Sequence, residues 1–101
     1  MTDKVIRDGM VAVIVSPGFG AGWSTWNDGE DAAWCRHDPE LVAAIEAGDK
    51  ARAETLAEMR NEHIYTGGLR DARVEWVPLG APYYIHEYDG NEWIVSDFLT
   101  A

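Results

Sequence analysis

The stretch "KVIRDGMVAVIVS", residues 4–16, decides the fold. Asp8-Gly9 suits a two-residue hairpin turn, because both central positions of that turn need φ > 0. Met10 to Val15 is almost continuously apolar and β-branched. That is the pattern of a central strand covered on both faces. Ser16-Pro17 ends it, since proline has no N–H to give a ladder.

Outward from this hairpin, the next firm signal is Asp38-Pro39-Glu40. A capping Asp, a Pro at the first helical position and an acid in the first turn mark a helix start. Leu41, Val42 and Ile45 form its apolar face, and Gly48 closes it. Asp49 caps a second helix running to about His63. Ala53, Leu56, Ala57 and Ile64 make its apolar stripe, with Met59 at the edge. Lys50, Arg52, Glu54, Glu58, Arg60 and Glu62 make its wet face. A short helical turn near Asp31–Cys35 is only weakly signalled.

"ARVEWV", residues 72–77, alternates as a strand does, and Pro78 to Pro82 is a connection. Tyr83–Tyr88 and Asn91–Ser96 then form a second hairpin around Asp89-Gly90. The order β-β-α-α-β-β-β predicts an α+β fold. It is a single small domain, 1–101, with a mainly antiparallel sheet of about five strands and two helices.

The 101-residue length suits one core and not two. Hydrophobic residues at 47% and charged residues at 26% are ordinary for a globular chain. The net charge of −10, from 18 acids against 8 bases, opposes binding to a nucleic-acid polymer. It suits solubility or a basic protein partner. A small anion needs a local pocket of Arg, His and backbone N–H groups. The one cysteine, Cys35, allows no intrachain disulfide and fits a reducing compartment. "MTDKVIRDG" lacks the apolar core of a signal peptide, and no segment reads as a membrane span. A cytoplasmic protein without a membrane partner is expected.

Residues 17–27, "PGFGAGWSTWN", hold three glycines, two tryptophans and a phenylalanine. A P-loop needs Lys and Ser/Thr directly after its last glycine, whereas Trp23 follows Gly22. A dinucleotide fingerprint needs glycine at position 23 and an immediate helix, and neither is present. Gly18, Gly20 and Gly22 let backbone N–H groups converge on an anion. Phe19, Trp23 and Trp26 offer stacking faces, and Ser24, Thr25 and Asn27 offer hydrogen bonds. Together these are the parts of a site for a heteroaromatic ligand. The alternative is a glycine-rich corner whose aromatics plug the core.

"YTGGLRD", residues 65–71, adds Gly67, Gly68 and Arg70. Two turn N–H groups and a guanidinium suit a phosphate or carboxylate. Arg70 is also placed to pair with Asp71 or another acid. Cys35 and the scattered histidines lack the spacings of a zinc site or a thiol nucleophile with its base. No metal site, catalytic residue or cofactor is assigned. His86 reads as a cross-strand contact.

At "GFGAGWSTWN" (18–27), "YTGGLRDARVEWVP" (65–78) and "YIHEYDGNE" (84–92) the chain resembles small proteins of tailed phages and prophages of about this length. The resemblance covers most of the chain apart from the middle helices. It implies an origin in a phage or prophage and action in the bacterial cytoplasm, and it implies no catalytic residue. The expectation is a counter-defence protein that binds and sequesters a small nucleotide-like signalling molecule. It would gain from being a homo-oligomer. The base would stack on Phe19, Trp23 or Trp26, and the phosphates would meet the glycine loop and Arg70. The alternatives are an acidic inhibitor of a basic host nuclease or DNA-binding defence protein, a small enzyme acting on a nucleotide, and a structural accessory protein.

Overall fold

The computed structural model of the chain describes residues 3–96. Strand β1 is Ile6–Arg7 and β2 is Met10–Val15, joined at Asp8-Gly9. Both turn residues take positive φ, 50° and 76°, as the dipeptide requires. β3, Arg73–Pro78, pairs antiparallel with the other edge of β2, giving the order β1-β2-β3. β4 (Tyr83–Tyr88) and β5 (Asn91–Ser96) form the second hairpin on an equivalent Asp89-Gly90 turn. The fold is α+β, and its antiparallel strands form two sheets of three and two strands rather than one of five. Pro78 ends β3 and Pro82 precedes β4, so the chain leaves the first sheet before the hairpin starts.

β2 is the centre of the molecule. Ala12 and Ile14 face a core with Trp23, Trp34, Leu41, Val42 and Leu69. Val11, Val13 and Val15 face the hairpin, where Tyr83, Ile85 and Ile94 pack against them. The uninterrupted apolar run thus has a layer on each side, helices on one and the hairpin on the other.

Three α-helices form the first layer: α1 (Ala32–His37), α2 (Pro39–Glu46) and α3 (Lys50–Arg60). α1 was signalled only as a turn. Its interior is too short to show a period, and Asp31 makes no capping bond to it. α2 and α3 begin where the sequence indicates. Asp38 accepts from Leu41 N at 3.1 Å, and Asp49 accepts from Arg52 N at 3.1 Å. α3 stops at Arg60 rather than near His63, because Asn61 turns extended. Gly67–Arg70 is a single 3₁₀ turn leading into β3.

His37, at the end of α1, ties the layers together. Its Nδ1 lies 3.1 Å from Ala12 O, and Tyr83 Oη lies 2.7 Å from its Nε2. A carbonyl only accepts, so Nδ1 carries the proton and the tyrosine hydroxyl donates to Nε2. Burial lowers the His37 pKa, which keeps this tautomer neutral. Among the described residues, no helix is long and apolar enough to cross a membrane.

Candidate functional site

The Gly/Trp stretch closes around a carboxylate from the far end of the chain. Glu92, on β5, has its side chain inside the protein and is 1% exposed. One of its oxygens accepts from Ser16 N at 2.9 Å. The other accepts from Trp23 N and Thr25 N, each at 2.9 Å, and from the Thr25 hydroxyl. Its own N–H donates to Ser16 O at 2.7 Å. A buried carboxylate is costly unless charge-assisted hydrogen bonds replace its water, and these donors do so. N–H groups do converge on a carboxylate here, but they belong to Ser16, Trp23 and Thr25 rather than to Gly18, Gly20 or Gly22, and the anion is part of the protein.

Several expected ligand residues are corrected by this arrangement. Trp23 is 0% exposed and stacks no ligand. Its indole N–H donates to Cys35 O at 2.6 Å, and its ring meets Trp34 edge-on at 6.1 Å. Ser24 is buried and accepts from Arg36 Nε at 3.2 Å. Thr25 is spent on Glu92. Gly22 lies beneath the Trp26 and Thr25 side chains, and Gly18 lies against the Asp71 carboxylate. Gly68 is buried where the 3₁₀ turn crosses the loop. A Cβ there would run into the Gly22 carbonyl and stand 2.7 Å from Trp23 N. The Gly67-Gly68 pair is thus required partly for backbone contact rather than for an anion.

Of the remaining expected residues, Phe19, Gly20, Gly67 and Arg70 line one open cleft of about 560 Å³. Phe19 projects into it, 68% exposed, with Gly20 beside it. Arg70 and Gly67 come from the 3₁₀ turn. The other lining residues fall outside the expected set, among them Lys50 and Glu54 from α3, Tyr65, and Asp71. Trp26 and Asn27 stand behind Tyr65. Trp26 stacks on the Tyr65 ring at 5.5 Å and donates to Glu87 at 3.2 Å. The Asn27 amide accepts from Tyr65 N at 3.0 Å and donates to Tyr65 O at 2.9 Å. These two residues position a cleft aromatic from the second row.

The charges in the cleft stand out against the rest of the surface. Of the 8 basic residues, Arg7, Arg52, Arg60 and Arg73 are paired with acids, and Arg36 is tied to Ser24. Lys4, Lys50 and Arg70 take part in no ion pair among the described residues. Two of those three line the cleft. Arg70 does not pair with Asp71, although the two are adjacent.

Cys35 is fully buried, and burial pushes its thiol well above the usual range, with Asp31 and Glu92 adding to the effect. A thiol so placed is a core side chain rather than a nucleophile. Among the described residues, no His/Cys/Asp/Glu cluster has the makings of a metal site. His86 lies opposite Trp93 in the hairpin register, a cross-strand contact. Comparison with protein-family models, curated proteins and solved structures returns no match.

Proposed function

We propose that this chain is a non-catalytic binder that sequesters a small nucleotide-like signalling molecule, as a phage-type counter-defence protein in the bacterial cytoplasm. The observation that supports this most is the meeting of Phe19 and Tyr65 with Lys50 and Arg70 in one cleft. Two aromatic faces suit a flat base, and two cations that form no ion pair among the described residues suit a phosphate. Glu54 and Asp71, in the same cleft, suit the hydroxyls of a ribose as acceptors. They also balance the cations, so a ligand with few phosphates fits better than a polyphosphate.

In this proposal the cleft binds its ligand without turning it over. Its ionisable lining is Lys, Arg, Glu, Asp and Tyr, while Cys35 and His37 are held in the core. The phosphate partners in this reading are the Lys50 and Arg70 side chains. The Trp23 and Thr25 amides are already taken by Glu92.

Calorimetric titration with a panel of mononucleotides, cyclic nucleotides and ADP-ribose tests the reading. At least one member binds, and denaturation releases it unchanged. Arg70→Glu weakens that binding by about tenfold to a hundredfold, the loss of one charge-assisted contact. No binding across the panel would refute the proposal, and release of an altered molecule would make the protein an enzyme instead.

A further inference from the structure

Two acids stand directly opposite each other near the β4–β5 turn, where Glu87 pairs with Glu92. Like charges in that register destabilise a sheet. Glu92 offsets this by holding the backbone of the Gly/Trp stretch with its buried carboxylate. Glu87 is exposed and forms no ion pair among the described residues. One of its oxygens accepts from two donors, Gly90 N at 2.8 Å and Trp26 Nε1 at 3.2 Å. Those bonds, Gly90's first and Trp26's second, hold its carboxyl below the ordinary pKa.

The turn that follows Glu87 also touches the cleft lining. Phe19, Gly20 and Ala21 are part of that lining. Gly20 N donates to Asp89 O at 2.6 Å. Gly90 is buried against Ala21, and a Cβ there would run into the Ala21 backbone. Tyr65 supplies another part of the lining. Asn27 fixes its main chain, so its ring needs separate support. Gly67 makes room for the phenol, since a Cβ there would run into it. Trp26 stacks on the ring at 5.5 Å with the planes 28° apart. Trp26 is itself 42% exposed, so core packing alone does not fix it, and its indole N–H is anchored on Glu87.

We infer that Glu87 is a positioning residue for the cleft: it holds the Trp26 ring, and Trp26 holds the Tyr65 ring that lines the cleft. The β4–β5 hairpin thereby sets two parts of the lining at once, Gly20 and Ala21 through its turn backbone and Tyr65 through Glu87 and Trp26. The effect on a ligand rests on the proposed binding function, but the ring geometry is readable without one. Support of this kind acts on affinity more than on stability, because a loosely held stacking ring must be ordered when the ligand binds.

NOE cross-peaks between the Trp26 indole and the Tyr65 ring read the positioning in the ligand-free protein. The parent and Glu87→Gln show them, since an amide oxygen accepts as a carboxylate does. Glu87→Val has no acceptor and loses most of their intensity, while its Tm stays within about 4 °C of the parent's. In titrations with mononucleotides, cyclic nucleotides and ADP-ribose, Glu87→Val weakens whichever of these the parent binds by about fivefold, the loss of one hydrogen bond. Glu87→Gln keeps the affinity, and in a Trp26→Phe background Glu87→Val has no further effect. Ring cross-peaks that persist in Glu87→Val would overturn the inference. So would a Glu87→Val effect on affinity that is undiminished in the Trp26→Phe background. A parent that binds none of these nucleotides refutes the proposed function, and the ring cross-peaks then decide this inference by themselves.

Discussion

Glu92→Ala is expected to lower the unfolding free energy by about 3–5 kcal/mol, the usual loss when one side of a buried charged network is removed. In a domain of this size that is a fall in melting temperature of about 15–30 °C. The change strands the N–H groups of Ser16, Trp23 and Thr25 and the Thr25 hydroxyl in a site with little water. It also opens a cavity between β2 and the loop. Glu92→Gln is the sharper comparison. The amide keeps one accepting oxygen, but its NH₂ must then face a donor. A loss of about 1–3 kcal/mol is expected, since one donor is left unpaired. Urea denaturation with far-UV circular dichroism measures both. If Glu92→Ala proved as stable as the parent, the carboxylate would not be holding the loop.

The second large effect is at Trp23. Trp23→Ala is expected to cost about 3–5 kcal/mol, as for other large-to-small changes in a packed core. Trp23→Phe keeps a ring against Trp34 but leaves Cys35 O without its donor, at a cost of about 1–3 kcal/mol. If the proposed function holds, the folded fraction of both variants keeps the parent's affinity for the ligand, because Trp23 lies outside the cleft. Phe19→Ala is the opposite case. Stability changes by less than about 0.5 kcal/mol, as at exposed sites generally, and binding weakens. Denaturation curves and titrations on the same samples separate the two. A Trp23→Phe protein that is fully stable yet fails to bind would place Trp23 in the site after all.

These contrasts bear on what the sequence could reveal. The two Asp-Gly turns and Asp38-Pro39 were legible because each acts through local backbone chemistry that no distant contact overrides. The double-sided burial of β2 was legible from its unbroken apolar run. The division into two sheets was not, because Pro78 and Pro82 mark a break in the chain without saying that the hairpin then packs on the face of β2 instead of pairing with β3. Trp23 and Trp26 read alike in a loop without period, yet one fills the core and the other backs Tyr65.

Glu92 was the least visible residue of all. It is one of 18 acids, and its partners lie 67 to 76 positions away. Its one local sign is parity. It shares a strand phase with Ile94, which packs inward, and an acid in that phase must find donors. Lys50 and Glu54 were equally hidden, since they read as the wet face of α3, and only tertiary packing turns that face toward Phe19 and Arg70.

Native-state hydrogen exchange at the Trp23 and Thr25 amides tests most directly whether the Gly/Trp stretch is a closed loop around Glu92. The expected result is exchange as slow as that of the β2 amides, needing near-global unfolding. Exchange at the rate of an open surface loop, with the β2 amides still protected, would contradict it. The N–H groups of the loop would then be free, as an anion-binding turn requires.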